Sequence, residues 1–367
     1  MRRTSAWLLA LIYVVLIVYA SLYPFIGWRT QGLSPWQVFV HSPVPRAAMF
    51  DKAVNLLGYI PFGFLLCLGV LRSHRRWPAV LLATMAGGLM SLLMETLQIY
   101  LPTRVPSLMD LALNWSGAGV GALLAWGLER LGAIARWSRF RVRWFVADAR
   151  GALVLLALWP VALLFPAPVP LGLGQVLAQL ELFVSSALAE PQGLSMWWPL
   201  RPEVWPPLSI GGELLAVVLG ALAPCLLVST ISPARGHRLV LAALALALGF
   251  GVTLLSNTFS YGPLRAWDWL TLQVQVGWCL AWALAWMLAW ARVPSWVCAV
   301  LLMVVLVLQL ALLNSVSPGP YLAQTLQTWE QGRWINFYGL AQWLGWLWPY
   351  AALVHTLVWL RYHRAEN

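Results

Sequence analysis

The stretch ETLQIYLPTRVPSLMDLALN, residues 95–114, lies between two long apolar runs. It ends the first run, turns at two prolines, and opens the second run with Ser107, a residue type that favours helix N-caps. Its polar residues are unusual in a chain that is 61% hydrophobic and only 10% charged, because a soluble domain needs roughly 25% charged residues. The composition therefore predicts a membrane protein. The stretch predicts the end of one spanning helix, a tight turn and the capped start of the next.

The other apolar runs repeat this pattern along the chain. Each is close to the roughly 20 helical residues that cross a bilayer core, and none alternates as the strands of a membrane barrel would. We therefore expect an all-α fold, a polytopic transmembrane helix bundle of about ten spans. The predicted spans are residues 7–26, 53–71, 78–99, 107–127, 151–169, 210–230, 239–258, 270–291, 294–313 and 339–360.

The placement of basic residues predicts the orientation. With the N-terminus inside, most of the 23 Lys and Arg residues fall on the cytoplasmic side, as the positive-inside rule requires, so both termini are predicted to be cytoplasmic. We interpret the arginine-rich run 136–150 as a topology anchor on anionic lipid rather than a nucleic-acid site. The outer segments 27–50, 170–209 and 314–338 are rich in Trp and Pro, and residues 174–190 are predicted to form a helix lying in the membrane interface.

An internal repeat is a further prediction. Residues 55–67 align with 213–225, and residues 87–104 align with 249–265, which sets Asn55 against Glu213 and Arg104 against Arg265. Chance similarity between apolar sequences is the alternative explanation. The predicted organisation is a four-helix membrane unit at 1–130, a degenerate repeat of it at 151–292, and two additional helices at 293–367.

Polar residues from three predicted spans fall at the outer membrane face. Ser107, Asp110 and Asn114 form one helix stripe that continues inward as Gly117 and Gly121, and such glycines predict close packing of a second helix. The candidate site residues are Asp51, Asn55, Glu95, Gln98, Arg104, Ser107, Asp110 and Asn114.

Each of these residues also has a structural interpretation. Ser107 and Asp110 fit a capping box, and Arg104 could extend toward lipid phosphate. A charged Glu95 inside a span costs roughly 2.5–3.5 kcal/mol, which favours either a functional role or an ion pair with Arg104.

These residues carry a family resemblance. The segment DKAVNLLGYIPFGFLL from Asp51, the pattern E-x-x-Q at Glu95, and R-x-x-S-x-x-D-x-x-x-N-x-x-G from Arg104 to Gly117 resemble the VanZ-like membrane protein family over about residues 5–130. The resemblance implies a cell-envelope protein of the bacterial cytoplasmic (inner) membrane, since the family is named after a protein linked to teicoplanin resistance. Family members often carry His where this chain has Asn55, so no proton-relay role is assigned there.

Three hypotheses about function remain open, and whether the protein is an enzyme is among the open questions. In the first, the site binds or modifies a lipid-linked, anionic envelope precursor. Glu95 and Asp110 are then the catalytic acid and base, or hold Mg²⁺, and the substrate is bound by Arg104, Asp51, Asn55, Gln98, Ser107 and Asn114.

In the second hypothesis, the protein is a transporter or flippase with a protonatable Glu95. In the third, it is a non-catalytic accessory protein whose polar residues lock helices together. The lipid bilayer is a partner in each case. Apart from the Mg²⁺ alternative, no metal site is predicted, because the four cysteines lack the spacing of a metal site and none of the five histidines falls among the candidate residues.

Overall fold

The computed structural model describes residues 5–23, 25, 27–30, 32, 49–73, 78–102, 104, 106–165, 167, 169–177, 208–261, 263–315 and 335–365. Within these ranges the chain is mostly helical and contains no strand. The α-helices are α1 (Ser5–Leu22), α2 (Met49–Ser73), α3 (Pro78–Gln98), α4 (Leu108–Arg130), α5 (Ala133–Trp144), α6 (Arg150–Ala162), α7 (Ile210–Ile231), α8 (Arg235–Tyr261), α9 (Leu272–Trp290), α10 (Ser295–Asn314) and α11 (Ile335–Ala365). A 3₁₀-helix, Pro263–Arg265, follows α8.

Many of these helices are suited to a bilayer. Seven of those in the described ranges are long and apolar enough to cross a membrane, namely α2, α3, α4, α7, α8, α9 and α10, while the apolar helices α1 and α6 are shorter. Each predicted span overlaps a helix of the structure, although α6 ends seven residues before the predicted span 151–169 does. The predicted all-α, multi-pass membrane architecture is therefore confirmed. The number of spans and the side of the termini stay predictions, and most of the predicted interfacial helix 174–190 lies outside the described residues.

The arginine-rich run after α4 forms a helix that the apolar pattern did not predict. Helix α5 buries Ile134, whereas Trp137 and Val142 are exposed, and arginines fill the positions between them. Arg72 of α2 holds this helix by donating to the Ile134 carbonyl at 3.2 Å and the Ser138 hydroxyl at 2.6 Å. A short basic, amphipathic helix is typical of segments that lie in the membrane interface.

The chain divides into two compact units, unit 1 (Met1–Arg141) and unit 2 (Val142–Asn367). In unit 1, α4 packs on α2 and α3, and α1 packs on the same two helices. The contact between α4 and α2 is very close, because a Cβ atom on Gly117 or Gly121 would collide with the carbonyls of Leu56 or Ile60. The glycine stripe thus does what the sequence predicted, bringing two backbones together at the depth just below the polar residues.

Unit 2 is organised around α7, in which every residue from Ala216 to Ile231 is buried. Helices α6, α8, α9 and α10 pack on it, and α11 packs on α6 and α10. Trp348 of α11 donates to the Leu155 carbonyl at 2.8 Å, and Gln309 of α10 donates to the Leu171 carbonyl at 3.1 Å. Helices α10 and α11 are therefore built into the same compact unit as α6 to α9.

Candidate functional site

The candidate residues gather at one end of unit 1. Asn55 lies in the second turn of α2, Glu95 and Gln98 end α3, and Asp110 and Asn114 lie in the first two turns of α4. Because successive helices run in opposite directions, these positions and the last turn of α1 share one end of the bundle. Asp51 lies in the first turn of α2, and its side chain is outside the described residues.

Glu95 is buried, with only 4% of its surface exposed. Its Oε2 atom accepts a hydrogen bond of 2.9 Å from the backbone N–H of Ser107. Among the described residues no ion pair joins Glu95 to Arg104, so that predicted pair is wrong. Glu95 instead ties the end of α3 to the start of α4.

Ser107 is the N-cap of α4, as the sequence predicted, with φ −142° and its Oγ accepting from the N–H of Met109 at 3.2 Å. In a capping box, the backbone N–H of the N-cap residue bonds to the acidic residue at N3, here Asp110. The structure differs, since Glu95 of the preceding helix takes that N–H. Because Glu95 accepts this N–H, Asp110 is not needed to complete the cap.

Asp110 accepts a hydrogen bond of 2.6 Å from the side-chain amide of Asn55, which links α4 to α2. Glu95 bonds to the N-cap residue of α4, and Asp110 stands three residues further on, in the first turn of the same helix. The two predicted acid–base residues are therefore neighbours, each held by a donor on a different element.

Deeper in the bundle lies a buried polar cluster made of Tyr59, Ser91, Glu95 and Asn114. Asn114 donates to the Ser91 hydroxyl at 3.0 Å. The Tyr59 hydroxyl lies beside Ser91 and Glu95, but within the described part of the chain it meets the hydrogen-bond geometry of neither, and Asn114 Oδ1 is likewise buried without a partner. Two buried polar atoms of this cluster thus have hydrogen-bonding capacity left over.

The sequence prediction missed Tyr59 and Ser91. A spacing argument would have found both, since Tyr59 follows Asn55 by four residues and Ser91 precedes Glu95 by four. They lie among apolar residues, where a phenol and a hydroxyl are easily taken as parts of a packed helix face.

Gln98 and Arg104 contact the end of α1. Gln98 donates to the Ser21 carbonyl at 2.9 Å, and Arg104 Nη2 donates to the carbonyls of Tyr23 at 2.9 Å and Ala20 at 3.3 Å. Cationic side chains at a helix C-terminus complete its free carbonyls and complement its dipole. Burial lowers the pKa of the Arg104 guanidinium from its usual value. Both residues therefore have a structural role that the sequence did not reveal.

Both described carboxylates at this end, those of Glu95 and Asp110, already accept hydrogen bonds. The described residues contain no group of three His, Cys, Asp or Glu side chains placed to hold a metal ion. Mg²⁺ at Glu95 and Asp110 would compete with the N–H of Ser107 and the amide of Asn55 for carboxylate oxygens.

Fold and site together define a multi-pass membrane protein with a buried polar site at one end of its N-terminal helix bundle. Residues 6–131 match the family model VanZ/LLP1, which confirms the resemblance predicted from the sequence, so unit 1 carries a VanZ-like region. The match covers about a third of the chain and none of α6 to α11. No curated protein and no solved structure matches the chain.

Proposed function

We propose that unit 1 binds the polar headgroup of a lipid-linked, anionic precursor of the cell envelope. The observation that carries the proposal is the buried polar cluster, in which the Tyr59 hydroxyl and Asn114 Oδ1 have no partner among the described residues. A buried polar atom without a hydrogen bond costs about 1–3 kcal/mol. A ligand that supplies hydroxyl and phosphate oxygens at this position would offset that cost.

Charge supports an anionic headgroup. Arg104 lies three residues before the N-cap of α4, at the end of the bundle that holds the site, where the helix dipole also favours negative charge. Arg104 commits Nη2 to the carbonyls at the end of α1. The hydroxyl of Ser107 and the amides of Asn55 and Asn114 supply neutral contacts around it.

Glu95 and Asp110 extend the proposal from binding to chemistry. Glu95 has one oxygen on the Ser107 N–H, and its second oxygen has no hydrogen bond within the described residues. A buried carboxyl group beside a second carboxylate is suited to transfer a proton as a general acid or base. Glu95 is therefore the residue proposed to act on the ligand, with Asp110 as its acidic neighbour.

The binding test uses the full-length protein in nanodiscs and two probes of equal chain length, a polyprenyl phosphate and the neutral polyprenol. We expect the phosphate to bind about tenfold tighter, the factor that one charge-assisted hydrogen bond supplies. Arg104→Gln should remove this preference, whereas Arg265→Gln, the aligned arginine of unit 2, should keep it. Equal binding of both probes, or an equal loss in the two variants, would overturn the proposal.

Two further variants separate binding from stability and from chemistry. Gln98→Leu removes a hydrogen bond to α1 without removing a charge, so it measures what loosening α1 contributes by itself. Glu95→Gln should retain binding of the polyprenyl phosphate. If mass spectrometry of the lipids shows conversion by the wild type and none by Glu95→Gln, the catalytic role stands; conversion by both would exclude it.

A further inference from the structure

Three arginines of unit 2 meet in a cavity where two interhelical loops come together. The α7–α8 loop and the α9–α10 loop enclose about 460 Å³, lined by residues 233–235, Arg238 and residues 292–295. Arg235, Arg238 and Arg292 all line it, and none of its described lining residues is Asp or Glu. Three like charges in one cavity repel unless an anion lies between them.

Arg238 is the most buried arginine of this arginine cavity and contacts both loops; only 5% of its surface is exposed. Its guanidinium donates to the Ser232 carbonyl at 2.7 Å, the Val293 carbonyl at 2.5 Å and the Ser295 hydroxyl at 3.3 Å. It therefore fastens one loop to the other and holds the cavity open in a fixed shape. Since a guanidinium has five N–H groups, two remain beyond these three bonds.

Arg235 is positioned rather than paired. Its guanidinium carbon lies over the ring of Trp290, and its Nη2 atom has no hydrogen-bond partner in the described part of the chain. Stacking on an aromatic ring fixes the plane of a guanidinium and leaves its N–H edge available for an oxyanion.

Arg292 supplies an independent observation from the backbone. It follows the C-cap of α9 with φ +52°, a left-handed conformation in which glycine is strongly favoured. A bulky side chain held in such a conformation points to a function for that side chain. A glycine at this position would adopt the same backbone conformation but would lack the guanidinium that Arg292 brings to the cavity.

The N-termini of two helices add to the positive charge of the arginine cavity. Helices α8 and α10 begin at Arg235 and Ser295, on the wall of the cavity, and the N-cap of α10, Pro294, offers no side-chain hydrogen bond to the first turn. Free N–H groups at two helix N-termini and three guanidinium groups together form an environment for an anion.

We infer that this cavity is a binding site for a phosphate group, carried by an anionic lipid or by a soluble phosphate. It lies at the end of unit 2 that the positive-inside rule predicts to be cytoplasmic, and it is separate in sequence from the VanZ-like region. Arg235 and Arg292 contact the phosphate, and Arg238 positions the two loops around it.

The experiment uses the full-length protein in phosphatidylcholine nanodiscs, prepared with and without phosphatidic acid. Native mass spectrometry after transfer to detergent identifies retained lipid, and calorimetry measures inorganic phosphate in the sample without phosphatidic acid. Retention of phosphatidic acid assigns the site to a lipid headgroup. Binding of inorganic phosphate without lipid retention assigns it to a soluble phosphate, and binding of neither overturns the inference.

Two variants and a control locate the site. Arg235→Gln and Arg292→Gly should each weaken binding about tenfold or more. Arg292→Gly also relieves the left-handed backbone, so its melting temperature should equal or exceed that of the wild type, and a loss of binding then cannot come from unfolding. Arg265→Gln, at an exposed arginine outside the cavity, should bind as the wild type does. If it loses as much binding as Arg292→Gly, the attraction is general surface charge and the inference fails.

Discussion

Helices α1 to α4 of unit 1 and α6 to α9 of unit 2 make the same set of packing pairs. The two sets differ in the hydrogen-bond partners of their polar side chains. In unit 1, polar side chains bond across helices: Glu95 to the start of α4, and Asn55 to Asp110. In unit 2, either of two residues takes the aligned place of Glu95: Asn257 donates to the Thr253 carbonyl of its own helix at 2.8 Å, and Ser256 donates to the Leu164 carbonyl, just beyond the end of α6, at 2.7 Å. The same helix arrangement thus joins side chain to side chain at 2.6 Å between α2 and α4 in unit 1, whereas the aligned polar residues of unit 2 bond to backbone carbonyls.

The helix starts and the close contacts differ in the same way. Thr271 caps α9 as Ser107 caps α4, but its hydroxyl donates to Glu213 at a long 3.4 Å. A Cβ atom on Gly277 would lie 3.0 Å from the Leu214 carbonyl, whereas one on Gly121 would overlap the backbone of α2. Shared pairing supports the predicted repeat, which stays a prediction. The closer contact in unit 1 brings Asn55 within reach of Asp110.

The largest expected effect tests that close contact. Gly121→Ala should destabilise the protein by about 3 kcal/mol, because overpacking forces α2 away from α4. Gly277→Ala in unit 2 should cost about 1 kcal/mol, since its neighbours need to move only slightly. Thermal unfolding in detergent measures both. Gly127→Ala is the control in the same helix, because its Cβ would meet nothing within 4 Å; a Gly121→Ala protein as stable as this control would contradict the close approach.

A smaller effect is expected at the aligned polar positions. Glu95→Leu should be about 2 kcal/mol less stable than Glu95→Gln, because only the glutamine keeps an acceptor for the buried N–H of Ser107. Asn257→Leu should lie within about 1 kcal/mol of the wild type, since the partner of Asn257 among the described residues belongs to its own helix. Both comparisons replace an amide by leucine and are read from the same unfolding curves. Equal losses at the two positions would mean that the cross-helix bond contributes nothing distinctive.

The smallest expected effect has the opposite sign. Tyr59→Phe removes a buried hydroxyl that lacks a partner among the described residues, so the unliganded protein should gain about 1 kcal/mol while binding the polyprenyl phosphate less tightly. Tyr13→Phe is the matched control: the Tyr13 hydroxyl donates to the Gly58 carbonyl at 2.8 Å, so its loss should cost about 1 kcal/mol. If both variants lose stability, the Tyr59 hydroxyl has a partner and the proposed function loses its main support.

Much of the fold followed from the sequence because a bilayer restricts what an apolar run can do. The predicted spans became helices, and the glycine stripe of Gly117 and Gly121 packed as its spacing indicated. Hydrogen-bond partners were harder to predict, because they depend on which helices meet. Glu95 replaced Asp110 in the α4 cap, and Arg104 bonded to α1 rather than to Glu95. The amphipathic helix α5 was missed because a short basic segment lacks the long apolar run on which the prediction depended.

The hydrogen bonds from Arg104 to the end of α1 have a thermodynamic consequence. A phosphate that takes hydrogen bonds from Nη2 competes with the carbonyls of Ala20 and Tyr23. Ligand binding and fraying of the last turn of α1 are then linked equilibria. If the bound ligand raises the equilibrium constant for fraying by some factor, fraying raises the affinity for the ligand by the same factor. If unit 1 binds the proposed ligand, helix α1 would thereby compete with it and lower the apparent affinity of unit 1. Amide hydrogen exchange at the end of α1 should rise as the site fills.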